Sequence, residues 1–334
     1  MQALKTTARL ALPSLLLGGC DLVVLGPAGD VALQQGRLVV QATLLMLLII
    51  VPVIVLTLWF AWRYRRANAA ALYEPDWDHS IQLELVIWAA PLIIVIALGA
   101  LTWISTHTLD PYRALRRIDA QRALPRDVQP LVVQAVALDW KWLFIYPEQG
   151  IAVVNELAAP VDRPIQFQIT SHEVMNSLYV PALAGMIYAM PGMQTSLYAV
   201  INKPGVYQGL SANYSGAGFS DMRFKFHGMD GADFDRWVES AKSGPELNRA
   251  AYLALRAPSQ RDPVRRFGTV ANDLWLAILN RCVETGARCI HQQMAEDERR
   301  QFIAARPDLA WTATAMCTAD DPLGIGLVKA RTLD

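Results

Sequence analysis

The segment Leu38 to Trp62 contains no charged residue, and a second apolar run extends from Leu85 to Ile104. A bilayer core about 30 Å thick is crossed by about 20 apolar residues in a helix, so either run is long enough to span it. Core helices of soluble proteins are shorter and keep a polar face. Pro52 and Pro91 fall inside the runs, which membrane helices tolerate because neighbouring groups satisfy the freed backbone. Trp59 and Trp62 close the first run, and Arg63, Arg65 and Arg66 follow. An aromatic belt with adjacent arginines marks the cytoplasmic side. The reading is a helical hairpin: a span over 38–62, a cytoplasmic loop over 63–80 containing Glu74, Asp76 and Asp78, and a span over 81–106. Composition agrees, with 53% hydrophobic and 18% charged residues and a mean hydropathy of +0.24. Formal net charge is zero, so no basic excess points to nucleic acid.

The amino end reads as a secretory leader over 1–19. Lys5 and Arg9 form its positive end, Leu10 to Leu17 its apolar run, and Gly18-Gly19 the small residues before cleavage. Cys20 follows, and Leu17-Gly-Gly-Cys20 resembles a bacterial lipoprotein signal, which implies cleavage before Cys20 and its acylation. Residues 20–37 would then be an outer amino-terminal segment. Of the other cysteines, Cys282 and Cys289 could pair in an extracytoplasmic tail, leaving Cys317 odd.

From about Leu131 the pattern changes to short alternating segments broken by Pro and Gly. Asp139-Trp140-Lys-Trp142-Leu-Phe144-Ile-Tyr146 places four aromatics on one strand face. Pro164 to Ile169 and Ser196 to Val200 also alternate, and Asn202-Lys-Pro-Gly205 is a turn. Strands at this spacing suggest a sandwich or barrel of about 100 residues. Past Gly231 the chain turns helical, with Phe234, Trp237, Val238 and Ala241 at helical spacing. Asn272 or Asp273 is placed to cap a helix from Leu274 to Cys282, with Gly286 as its stop.

One loop, Ser211-Ala-Asn-Tyr-Ser215-Gly-Ala-Gly-Phe219-Ser-Asp-Met222, has an informative spacing. Cys at its first and fifth positions, His at the ninth and Met at the twelfth would make a soft ligand set suited to copper. Only Met222 could bind here. Thr170-Ser-His-Glu-Val-Met-Asn176-Ser-Leu-Tyr-Val-Pro181 and Met190-Pro-Gly-Met193 frame the loop. Together these segments resemble subunit II of the haem–copper terminal oxidases. In the cytochrome c oxidase branch the two-copper centre takes His at the position of Asn176 and Cys at Ser211 and Ser215. It also takes a Glu carbonyl at Asn213, His at Phe219, and the Met. The joint departure at Asn176, Ser211, Asn213, Ser215 and Phe219 resembles the quinol oxidase branch, whose subunit II kept the fold and lost the metal.

The resemblance implies a fold class: a membrane-anchored α+β chain. The hairpin is followed by a cupredoxin-like Greek-key sandwich over 125–230, a helical extension over 231–290 and a tail over 291–334 of unread role. It implies a role in ubiquinol oxidation and oxygen reduction, with no cofactor held by this chain. Haems, copper and the quinol site are expected in subunit I, the principal partner beside other oxidase subunits and the lipid bilayer. The place implied is a bacterial inner membrane, with the main domain in the periplasm. The five histidines, His79, His107, His172, His227 and His291, avoid both expected spans, so no pair is set to ligate a haem there. His172 is expected on an exposed loop. The aromatic strand matches the region that helps electrons enter from the cytochrome in the copper-bearing branch. Glu84, seven residues before Pro91, matches the family's carboxylate at the entrance of a proton pathway. A carboxylate at the mouth of a membrane helix is costly without water or a partner, and so is a functional candidate. Two rivals remain: a cytochrome c oxidase subunit, which needs the copper ligands this chain lacks, and a membrane-tethered cupredoxin-like scaffold lipoprotein with no oxidase.

Overall fold

The computed structural model describes residues 23–305 apart from 73, 75 and 126. Cys20, Cys317 and most of the tail lie outside the described residues. Helix α1 spans Asp30–Arg63 and α2 spans Ile81–Thr108. Both are long and apolar enough to cross a membrane, and the two pack against each other. Their apolar side chains are almost all exposed, a surface that lipid or other membrane subunits must cover.

Helix α1 starts ahead of the uncharged run, inside the segment expected to precede the span. A hydropathy criterion detects only the part of a helix that sits in hydrocarbon. The first turns, with Asp30, Gln34 and Gln35, are polar and belong to the junction with the β domain. Asp30 is buried and receives two hydrogen bonds from Arg117, from Nε at 2.8 Å and from Nη2 at 3.1 Å. The backbone N–H groups of Ala28 and Gly29 donate to the Ala182 carbonyl, and Asn202 N donates to the Ala28 carbonyl. A Cβ at Gly29 would lie 2.5 Å from the Val200 carbonyl oxygen, so only glycine permits this approach. The anchor therefore enters the domain as a fixed joint.

Thirteen strands follow among the described residues. Six form one sheet: β1 (Leu131–Leu138), β2 (Lys141–Tyr146), β3 (Ile151–Val154), β5 (Pro164–Ser171), β8 (Thr195–Val200) and β12 (Arg265–Phe267), in the order β12-β3-β2-β1-β5-β8. Five form the second: β4 (Glu156–Pro160), β6 (Asn176–Tyr179), β7 (Ile187–Ala189), β9 (Gly205–Ser211) and β10 (Arg223–Met229), in the order β4-β10-β9-β6-β7. Within these two sheets β1 pairs with β5 and β4 with β10 in parallel. The sheets close on each other as a cupredoxin-like sandwich. Trp142, Phe144 and Tyr146 from β2 meet Phe224 and Phe226 from β10 in the shared core, and the Phe144 and Phe224 rings stand edge to face with centroids 4.9 Å apart. Aromatic pairs favour that geometry. The Tyr146 hydroxyl donates to the Ala158 carbonyl at 2.8 Å and accepts from Ala158 N at 2.9 Å, and burial pushes its pKa up.

The other face of β2 is equally buried. Leu143 and Ile145 join Val136, Leu138 and Val154 in a second core. Its lid is α4 (Arg249–Leu255) and α5 (Leu274–Leu279), which supply Tyr252, Leu255, Leu274, Trp275 and Ile278. Helix α3 (Gly231–Lys242) closes the first core with Phe234, Trp237, Val238 and Ala241. The Asp230 side chain caps it by accepting from Asp233 N. The extension is thus not purely helical. Strand β12 joins the edge of the large sheet, and β11 (Glu246–Leu247) pairs with β13 (Thr269–Val270). Helix α5 stops at Leu279, short of the expected Cys282. Asp273 occupies its N-cap without a side-chain capping bond, because the carboxylate binds Arg249 instead. Cys282 and Cys289 form a disulfide, followed by α6 (Ile290–Ala305).

Candidate functional site

The framed loop leaves β9 and returns to β10. Four of the six degenerate ligand positions are tied together there. Ser211 Oγ donates to Asn176 Oδ1 at 3.1 Å and approaches the Asn213 carbonyl at 3.4 Å. Ser211 N donates to the Met222 carbonyl at 3.1 Å. Asn176, Ser211 and Met222 are buried. Asn213 spends its amide on the Met175 carbonyl at 3.0 Å. The remaining two positions face other partners: Phe219 meets Tyr214 edge to face at 5.6 Å, and Ser215 gives its carbonyl to the Trp140 indole N–H at 2.8 Å. Hydroxyls and a neutral amide are hard donors for an ion that prefers thiolate and imidazole. Phe219 has no donor atom. The residues present do not fit a copper centre.

Trp140 is the residue whose place differs most from the alternation reading. It sits in the turn between β1 and β2, not on the strand. Its indole lies against the loop so closely that a Cβ at Gly218 would meet the ring at 2.5 Å, which makes glycine obligatory there. The segment 257–262 of the extension holds this turn. Ser259 N donates to the Asp139 carbonyl at 3.0 Å, and Trp140 N donates to the Ser259 carbonyl at 3.3 Å.

Beside it, Lys141 is buried. Its Nζ lies 2.9 Å from Asp262 Oδ2 and donates to the Ala257 carbonyl at 2.9 Å, with a further hydrogen bond to Ser259 Oγ. Burial pushes the Asp262 carboxyl up, but the Ser259 hydroxyl and the Lys141 ammonium outweigh it and leave the pKa below the usual carboxylate value. Arg261 of the same segment binds Asp221 at the end of the loop at 3.0 Å. Sequence reading passed over this clamp. The available signal was a lysine inside an otherwise aromatic and aliphatic strand, since lysine is almost never fully buried unless paired.

His172 is half-buried, contrary to the expectation of an exposed loop. Its Nδ1 is 3.1 Å from the Tyr252 hydroxyl and its Nε2 is 3.2 Å from Arg256. Burial and then the Arg256 guanidinium hold its pKa below the usual imidazole value. The extension covers the segment that composition alone leaves open. Glu84 stands far from this cluster, in the first turn of α2, where a helix N-terminus favours a carboxylate. It is 52% exposed, and its Oε1 lies 2.8 Å from His79 Nδ1.

The family described as cytochrome c oxidase subunit II, periplasmic domain, matches residues 148–228. The cytochrome oxidase aromatic-rich motif matches residues 241–286, the stretch that covers the second core. The cytochrome bo(3) ubiquinol oxidase subunit 2 of Pseudomonas aeruginosa is 49% identical over 270 residues, covering 80% of this chain and 79% of that protein. The ubiquinol oxidase subunit 2 of Acetobacter aceti is 48% identical over 80% of this chain and 84% of its own length. The chain belongs to the quinol oxidase subunit 2 family.

A more distant quinol oxidase subunit 2, from Bacillus cereus, is 40% identical over 73% of this chain and 82% of that protein. Among solved structures, the periplasmic domain of subunit II of cytochrome oxidase from Bradyrhizobium japonicum is 25% identical, with a TM-score of 0.33, over 34% of this chain and 94% of its own. Its curated relatives and its two long apolar helices make the chain a membrane-anchored subunit of a terminal oxidase complex. Within this oxidase subunit the Lys141–Asp262 clamp fixes the turn that carries Trp140. Removing one partner of a buried ion pair leaves an uncompensated charge and costs about 3–5 kcal/mol. Asp262→Asn should accordingly lower the Tm of the full chain in detergent by roughly 10 °C. Adding Lys141→Met should restore most of the loss. An unchanged Tm for Asp262→Asn would show that the pair does not hold the turn.

Proposed function

We propose that the chain is subunit 2 of a proton-pumping bo-type ubiquinol oxidase in a bacterial inner membrane, with the β domain in the periplasm. One observation carries the reading: a cupredoxin-like fold whose copper-site loop has lost its thiolate and imidazole positions together. A subunit that accepts electrons from a cytochrome needs that centre; a subunit beside a quinol-oxidising partner does not. Haems, copper and the quinol site then belong to subunit I. This chain contributes the outer cap, assembly contacts and, at Glu84, a proton entrance. Cys20, outside the described residues, is proposed to be the acylated amino terminus of the mature chain. The rival copper-bearing subunit is disfavoured by the donor set. The rival free scaffold is disfavoured by the similarity to oxidase subunits along most of the chain.

Exposure of Glu84 and its contact with His79 give a carboxylate with access to water at the mouth of α2, as a proton entrance requires. In the assembled enzyme Glu84→Ala should slow oxygen consumption several-fold at unchanged haem content, and Glu84→Asp should be milder because a carboxylate remains near the same place. Normal turnover of the alanine variant would leave Glu84 as an interfacial charge only.

The unmodified full chain should hold no stoichiometric copper after exposure to the metal and removal of the excess. The combination Asn176→His, Ser211→Cys, Asn213→Glu, Ser215→Cys and Phe219→His completes the ligand set around Met222. That variant should take up a copper pair and turn purple. Tightly held, stoichiometric copper in the wild type would overturn the quinol reading and favour a protein electron donor.

A further inference from the structure

Where the two membrane helices meet the β domain, the structure forms an open-sided cavity of about 310 Å³. Gln34 and Gln35 of α1, Asp110, Arg113 and Arg116 beyond α2, and Tyr198 of β8 line it. A groove of about 680 Å³ runs from it along the hairpin, between Leu38, Val39 and Ala42 on α1 and Leu98 and Leu101 on α2. Gln35, Leu109, Asp110 and Pro111 border both spaces, so they form one site with a polar head and an apolar tail. The groove keeps its apolar character although Thr102, Ser105 and Thr106 reach it. The hydroxyls of Ser105 and Thr106 both donate to the Thr102 carbonyl within the helix.

The charges of the head are unequal. Asp30 and Arg117 satisfy each other. Arg113 donates to the His107 carbonyl at 3.0 Å, and neither Arg113 nor Arg116 meets a carboxylate among the described residues. Opposing them is Asp110, which accepts from Tyr112 N at 2.9 Å. Two unpaired guanidinium groups therefore face one carboxylate. Arginines on the domain side run against the bias that gathers cations at the other end of the hairpin, after Trp62. Guanidinium groups are suited to phosphate oxygens, which they bind in a planar fork.

We propose that this site holds one anionic phospholipid, with its phosphate at Arg113 and Arg116 and an acyl chain in the groove between α1 and α2. The lipid would fill the open wedge at the foot of the domain and seal the joint made by Asp30 and Arg117. The proposal rests on the membrane anchor and not on the choice of electron donor.

The test is native mass spectrometry of the full chain in detergent, incubated separately with phosphatidylglycerol and phosphatidylcholine. Wild-type protein should retain one phosphatidylglycerol and bind phosphatidylcholine roughly tenfold or more weakly, the scale expected of two arginines at a membrane surface. Arg113→Gln with Arg116→Gln should reduce phosphatidylglycerol to the level of phosphatidylcholine. Arg116→Gln alone should give part of that loss, and its exposed side chain has no hydrogen bond or ion pair among the described residues, so folding is not at risk. Inorganic phosphate at millimolar concentration should not displace the lipid, since it lacks the chain that fills the groove. Equal retention of the two lipids, or wild-type binding by the double variant, would overturn the proposal. So would displacement by phosphate alone, or a quinol found in the lipid's place.

Discussion

Strand β2 is buried on both faces, and a strand so placed must have a cover on each side. One cover is the second sheet, reached by Trp142, Phe144 and Tyr146; the other is the extension, reached by Leu143 and Ile145. Between them the strand carries Lys141, whose charge is tolerable only because Asp262, Ser259 and the Ala257 carbonyl come from the extension to meet it. The hydrophobic effect brings the extension to the sheet without fixing its register, whereas the buried ion pair and its hydrogen bonds admit one register. The turn before β2, and with it Trp140, is set by that docking.

The degenerate loop depends on the same arrangement. Trp140 rests on Gly218 and holds the Ser215 carbonyl, while Arg261 holds Asp221. The loop therefore retains a defined shape without a metal, through contacts with the extension and through the Ser211 and Asn176 side chains. This explains physically how a ligand-spaced loop survives the loss of its ligands. The bonds that hold it are weak individually but numerous, and they come from elements already fixed by the two cores.

The membrane spans were legible because hydrocarbon imposes a length and a composition that nothing else in the chain imitates. The start of α1 at Asp30 was not, because the partners that hold it and the residues just before it, Arg117 and Ala182, are remote in sequence. Strand alternation identified the face carrying Trp142, Phe144 and Tyr146. It placed Trp140 there too, since periodicity cannot see the Ser259 contacts that make its position a turn. His172 shows the same limit: its partners Tyr252 and Arg256 belong to the extension. The extension itself read as helical because β12 is only three residues long and gains its partner, β3, from the other end of the domain. The loop spacing was legible as a ligand pattern, but the clamp that supports it was not.

This fold serves an oxidase fed by quinol and not by a cytochrome. That assignment is tested most directly by purifying the tagged full chain from detergent-solubilised membranes and assaying what accompanies it. The expected result is a stably associated haem-bearing partner and oxygen consumption driven by ubiquinol but not by reduced cytochrome c. Recovery of the chain without haem, or oxygen consumption driven by the cytochrome, would contradict it.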